Sequence, residues 1–180
     1  MSHPSHHART HPDRIAYRMA RSGDAISYRE LDELSNQGAN LFRSLGLKAS
    51  DHIALLMENR LAFMEICWAA QRSGLYYTTI SCYLTRDEAA YIVADCGAQV
   101  VIASRRYGDV LDAVPRDAPG APVLYMVDEP QPGFRSWSEA VAAQPATPIA
   151  DEVAGADMLY SSGTTGRPKE IGRASCRERV

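Results

Sequence analysis

The chain has 180 residues, 46% of them apolar and 23% charged, with a formal net charge of −3. That composition can bury a core, which excludes disorder as the main state, and the acidic balance speaks against a nucleic-acid binder working through a broad basic face. No apolar run is long enough to cross a bilayer, the polar, His-rich opening lacks the pattern of a secretory signal, and the length fits one ordinary domain.

Residues 1–12 hold His3, His6, His7 and His11 and read as a solvated, flexible N-terminus. Ile15 to Met19 and Ala25 to Tyr28 read as two short strands joined through Ser22-Gly23-Asp24, a hairpin signal. Ser27 and Glu30 form an S-x-x-E capping box. Leu31, Leu34, Gly38, Leu41, Phe42 and Leu45 follow at helical spacing, and Gly46 closes that helix. Ile53 to Met57 reads as a buried strand, and Asn59 is the expected cap of a helix that is apolar on most sides and stops at Gly74. Tyr76 to Ile80 is strand-like in composition. Thr85 and Glu88 make a second capping box, ahead of a helix carrying Ala89, Ile92, Val93 and Cys96 on one face and ending at Gly97. Val100 to Ala103 is a further buried strand, Arg106 to Val114 a short helix, and Val123 to Val127 another strand. Pro115–Pro122, Glu129–Phe134 and Pro145–Pro148 read as loops.

Strands alternating with helices predict an α/β fold with a mainly parallel sheet covered on both faces by helices. The cysteines, Cys67, Cys82, Cys96 and Cys176, show neither C-x-x-C pairing nor metal-like spacing. Three of them lie in segments read as buried elements, where Cys acts as a small hydrophobe; a reducing, cytoplasmic compartment fits, and no metal site is expected.

The segment with chemical content runs from Asp157 to Lys169. Met158, Leu159 and Tyr160 read as the end of a strand. Ser161, Ser162, Gly163, Thr164, Thr165 and Gly166 then place four hydroxyls and two glycines within six positions, and Lys169 follows three residues later. Glycines let backbone approach a ligand closely, and successive N–H groups in such a turn can cradle phosphate oxygens. Lys169 adds a compact positive charge; among 19 Lys plus Arg, only it and Lys48 are lysines. The spacing is not that of a Walker A loop, because Arg167 and Pro168 separate Gly166 from the lysine and no Ser or Thr follows it. On composition alone, a flexible Ser/Gly linker is the competing reading. The preceding apolar strand argues for a ligand loop, since open α/β sheets bind ligands beyond their strand ends.

Tyr160-Ser-Ser-Gly-Thr-Thr-Gly-Arg-Pro-Lys169 resembles the phosphate-binding signature of the adenylate-forming superfamily, which includes AMP-forming acyl-CoA synthetases and peptide-synthetase adenylation domains. His11-Pro-Asp-Arg-Ile-Ala16, Tyr28-Arg-Glu-Leu31, Asp51-His-Ile-Ala-Leu55, Leu84–Val93 and Asp95-Cys-Gly-Ala98 resemble the opening part of acyl-CoA synthetases. The resemblance implies that 13–169 is a truncated N-terminal part of the adenylate-forming fold, ending in the phosphate loop. It also implies a two-step reaction. A carboxylic acid, most readily a fatty acid, attacks the α-phosphate of ATP with Mg2+ to give an acyl-adenylate, and coenzyme A then displaces AMP. Ser161, Ser162, Gly163, Thr164, Thr165, Gly166 and Lys169 would bind the β- and γ-phosphates, and none of them would be a nucleophile or general base. The alternatives are an adenylation domain that loads a carrier protein, and a non-catalytic phosphate-binding module. Peripheral membrane contact stays open. Glu170 stands where the family pattern has glycine, and 170–180 resembles nothing in the family, so that tail reads as non-native. A chain ending there would lack the adenine, ribose, Mg2+ and acyl sites and the C-terminal catalytic lysine, and would be inactive alone.

Overall fold

The computed structural model describes residues 3–116, 118–161 and 169–171, with backbone alone for Ser161 and for 169–171. The N-terminal segment differs from the expected flexible arm, because Pro4–Thr10 forms helix α1. Proline suits the first helical position and the His3 side chain accepts the Ser5 N–H there. The His3 ring stands edge-on to Trp68, with centroids 5.0 Å apart, and His7 lies 4.9 Å from the Tyr28 ring. Burial, with Arg72 nearby, pushes the His3 imidazole down to about 4. Strands β1 (Ile15–Arg18) and β2 (Ala25–Ser27) form the expected antiparallel hairpin.

Both capping boxes form as read. Ser27 opens α2 (Tyr28–Ser44) and Thr85 opens α4 (Arg86–Asp95), each exchanging hydrogen bonds with the glutamate three residues on. Between them lie β3 (His52–Leu56), α3 (Leu61–Arg72) and β4 (Tyr76–Thr79). Asn59 does not cap α3; Arg60 takes the cap position in extended conformation without a side-chain cap bond. Its guanidinium is held instead by Glu58 and Asp128, so charge pairing beyond the strand ends decides where the helix starts. After β5 (Ala98–Ala103), the expected helix is a 3-10 helix, Arg105–Ala113. It ends at Val114, which precedes Pro115 and is extended (ψ 123), as sterics before proline require. Strand β6 (Val123–Met126) follows, then two short elements not foreseen from the sequence, β7 (Arg135–Ser136) and α5 (Trp137–Ala142). The chain continues through β8 (Ala156–Asp157), β9 (Leu159–Ser161) and β10 (Lys169–Ile171).

Six strands form one parallel sheet in the order β7-β6-β5-β3-β4-β8. Alternation along each strand feeds two cores. Ile53, Leu55, Val100 and Ile102 face one side, where Phe42 of α2, Ile66 of α3 and Trp137 of α5 cover them. Ala54, Leu56, Val101 and Ala103 face the other, beneath Ile92 and Val93 of α4 and Leu111 of the 3-10 helix. Each fully buried Leu, Ile or Phe contributes roughly 1.5–3 kcal/mol. Helices α2 and α3 approach so closely that a Cβ on Gly38 would lie 2.7 Å from the Ala69 Cβ, which is why a glycine sits in mid-helix despite its low propensity. Cys67 and Cys96 are buried free thiols and Cys82 is half-buried. Burial pushes the Cys67 thiol up to about 12, and Asp157 adds to the effect.

Candidate functional site

A strap of chain leads to the β9–β10 hairpin, whose strands flank the candidate phosphate loop. After α5 the chain must travel from the β7 edge of the sheet to the far edge, beside β4. It does so across the outer surface of α2. Asn36 Nδ2 donates to the Ala146 carbonyl (3.0 Å) and Gln37 Nε2 to that of Gln144 (3.2 Å). Asn40 Nδ2 donates to the carbonyls of Pro145 (3.1 Å) and Thr147 (2.8 Å). Arg43 then pairs with Asp151 at 3.1 Å, and the buried Arg72 pairs with Asp32 and Glu152. A run of amide side chains on one helix face thus satisfies carbonyls of a segment with no regular structure of its own.

The strap ends in a tight passage. The Gly155 N–H donates to the Gln71 carbonyl at 2.6 Å, and a Cβ on this residue would lie 2.3 Å from the Leu75 carbonyl oxygen. Only glycine fits, and it lets β8 pair in parallel with Tyr76 and Tyr77 of β4. The Met158 N–H bonds the Tyr77 carbonyl (2.9 Å), and the Tyr160 hydroxyl donates to Asp95 Oδ2 (2.7 Å). Met158 and Tyr160 pack on the α4 side of the sheet. The base of the signature is therefore tied to two elements already fixed by the core.

There the chain doubles back. β9 and β10 pair antiparallel, with Lys169 opposite Ser161, Glu170 opposite Tyr160 and Ile171 opposite Leu159. Of the candidate residues, Ser161 and Lys169 are brought face to face across this ladder. Ser162, Gly163, Thr164, Thr165 and Gly166 lie outside the described residues, as do 172–180 of the tail. The hairpin follows the carboxyl end of β8, so it leaves the sheet at the edge where open parallel sheets bind ligands.

Reading the sequence did not single out the other groups at that edge. The strand order reverses direction between β3 and β5. At their carboxyl ends the Ser104 hydroxyl donates to Glu58 Oε2 (2.6 Å), and Arg60 bridges Glu58 (2.6 Å) to Asp128 (2.7 Å). Asp128 also accepts the Arg105 N–H at 2.8 Å. Partial burial works against the charge on Glu58 and Asp128, yet hydrogen bonds and the guanidinium hold both carboxyls below their usual range. These groups pair with one another, Arg60 Nε excepted, and act as a clamp over the ends of β3, β5 and β6. A signal for them existed: each of those apolar strands runs directly into charged or hydroxyl residues. Among the described residues, no group of three His, Cys, Asp or Glu could hold a metal ion, and no helix is long and apolar enough to cross a membrane.

A doubly wound sheet whose edge strand feeds a Gly/Ser/Thr hairpin is an architecture shared with known enzymes. The sequence model of the AMP-binding enzyme family matches residues 5–171, and the chain belongs to that family. The match runs two residues past Lys169, through the paired positions Glu170 and Ile171. The chain is 30% identical over 151 residues to long-chain-fatty-acid–CoA ligase FadD13 of Mycobacterium tuberculosis, an alignment covering 81% of this chain and 29% of the relative. It is 32% identical over 153 residues to the 4-hydroxybenzoate–CoA/benzoate–CoA ligase of Rhodopseudomonas palustris, covering 82% and 28%. The inhibitor-bound N-terminal domain of FACL13 from M. tuberculosis superimposes with a TM-score of 0.80 at 28% identity, covering 94% of this chain and 42% of that one. The chain thus spans less than a third of the length of these curated relatives.

Proposed function

We propose that this chain is the phosphate-gripping portion of an AMP-forming acid–CoA ligase. In this reading, a carboxylate oxygen attacks the α-phosphorus of ATP and the bond to pyrophosphate breaks. The thiol of coenzyme A then attacks the acyl carbonyl and AMP departs. Residues 161–166 donate N–H and hydroxyl groups to the β- and γ-phosphate oxygens, and the Lys169 ammonium offsets charge gathering on the departing pyrophosphate. The contribution is positioning and electrostatic. Mg2+ enters as the salt of the nucleotide, and the described residues offer no group of three His, Cys, Asp or Glu to hold it. A fatty acid is the favoured substrate, since FadD13 carries that activity in its name, with benzoic acids as the competing class. A cytoplasmic location goes with the reading.

The observation that carries the proposal is the Ser161–Lys169 pairing in a chain matched by the AMP-binding family over 5–171. It makes the intervening residues leave and return at one point of the ligand-binding edge. ATP–pyrophosphate exchange tests it, with long-chain fatty and benzoic acids as substrates. Acid-dependent exchange is expected from the complete gene product and none from the 180-residue chain alone. Lys169→Ala should slow exchange in the complete product by about 100-fold, the scale of losing one preorganised charge stabiliser. Absence of exchange with every acid of both classes would overturn the ligase reading. Robust exchange by the 180-residue chain would overturn its inactivity.

A further inference from the structure

Helix α4 breaks a rule that the three helices before it keep. The last turn of a helix carries negative partial charge, so basic side chains suit it and a carboxylate does not. In that turn α1 carries His7 and Arg9, α2 carries Arg43 and α3 carries Arg72. The last turn of α4 holds no basic residue, and its final residue is Asp95. The Asp95 carboxylate accepts the Tyr160 hydroxyl at 2.7 Å, from 65 residues further along the chain. A local misfit whose partner lies in a distant element points to a task in that element.

That element is the base of the hairpin. Tyr160 immediately precedes Ser161, and in the β9–β10 ladder it stands opposite Glu170, the residue after Lys169. It therefore borders both the point where the chain leaves the ladder and the point where it returns. Tyr160 packs with Met158 against the α4 core, and the bond to Asp95 fixes its hydroxyl end. We propose that Asp95 is a positioning residue for the phosphate loop, acting through Tyr160. The inference rests on the ligase reading above. Hydrogen bonds to a carboxylate are short and strong, and this one sets the direction in which β9 presents the loop to the triphosphate. A misplacement of about 1 Å near a reacting group can lower a rate about 100-fold. A bond of small worth to stability thus carries a large one for ATP.

The test compares Asp95→Ala, Asp95→Asn and Tyr160→Phe in the complete gene product, by ATP–pyrophosphate exchange with an acid that the parent activates. Asp95→Ala and Tyr160→Phe should each lower kcat/KM for ATP by about tenfold and leave KM for the acid unchanged. The double variant Asp95→Ala/Tyr160→Phe should lose no more than either single one, because the two residues act as one unit. Asp95→Asn keeps an acceptor oxygen and should recover most of the loss. Asp95→Ala should leave Tm unchanged or raise it, since it relieves the adverse charge at the helix end; a structural role alone predicts a lower Tm. In the 180-residue chain, the amides of 159–161 and 169–171 should exchange faster in Asp95→Ala. Unchanged kcat/KM for ATP in folded Asp95→Ala, a loss shared equally by ATP and the acid, additive losses in the double variant, or no recovery in Asp95→Asn would each overturn the positioning role and leave the ligase reading standing. Absence of exchange by the parent with every acid would overturn that reading, and this role with it.

Discussion

The two faces of the sheet are built by different means. On the α2 side, helices α2, α3 and α5 pack a large apolar core, and the outer surface of α2 then serves as a polar track for the strap of residues 143–155. On the α4 side, a smaller core is closed by one helix, a 3-10 helix and the base of the hairpin. The first face fixes where the chain goes, and the second receives the base of the β9–β10 hairpin through Met158 and Tyr160. The base of the hairpin can therefore be disturbed from the opposite face, by loosening the strap.

The largest effect that would sharpen this contrast is expected from the cores. Phe42→Ala removes a fully buried ring and should cost about 4 kcal/mol, and Ile92→Ala on the other face about 3 kcal/mol. Both are read from chemical denaturation. If the Ile92 variant proved the more costly, the ranking of the two faces would be reversed. Next comes Gly155→Ala. Its Cβ meets backbone rather than a yielding side chain, so about 2 kcal/mol should be lost, with amide protection falling in β8 before β3 or β5. Asn40→Ala frees the Pro145 and Thr147 carbonyls and should cost about 1–2 kcal/mol. Its exchange signature should appear in 143–158 and leave α4 unchanged.

Acid should act in two opposing ways on the α2 face. His3 has its imidazole depressed from 6.5 to about 4, so the unfolded chain takes up the proton first. Docking of α1 is then at full strength above pH 6.5 and weakens as pH falls toward 4. The Glu65 carboxyl is raised from 4.5 to about 7, so its contribution is complete below 4.5 and fades as pH climbs to 7. Amide exchange should show α1 loosening at pH 5 relative to pH 7.5, while Glu65→Gln should flatten the opposing trend in Tm. The smallest effect belongs to Tyr160→Phe. It removes an exposed bond to Asp95 and should cost about 0.5 kcal/mol, detectable as faster exchange in β9.

Much of this architecture was legible in the residues. Ser27-x-x-Glu30 and Thr85-x-x-Glu88 announced two helices that begin where the pattern places them. The apolar runs at 53–57, 76–80, 100–103 and 123–127 became the central strands. The failures have physical causes. The polar composition of α1 hides a helix stabilised by contacts with Trp68 and Tyr28, which are remote in sequence. Asn59 lost its capping role to ion pairs that exist only once β3 and β6 lie in one sheet. For α5 a signal was present and passed over, since Ser136-x-x-Glu139 repeats the capping pattern and the Ser136 side chain accepts the Glu139 N–H. The two-residue strands β7 and β8 carry too little pattern to be read. At the candidate site, the hydroxyl-and-glycine run beyond Ser161 lies outside the described residues, and what the structure adds is the base of its hairpin. Its anchorage, through Gly155, Met158 and Tyr160, depends on partners distant in the chain and had no local signature.

The strap has a consequence for the order of assembly. Asn36 and Ala146 are 110 residues apart, so that contact closes one of the longest loops in the chain, and it must wait until the helix offering it is seated. Long-range closures form late because their entropy is lost before their contacts repay it. The edge strand, and with it the mouth of the hairpin, should gain protection last in a refolding time course read by pulsed hydrogen labelling. Under the proposed reading, nucleotide grip would then be withheld from any molecule whose scaffold is unfinished, making the newest-formed part of the protein its own certificate of completion.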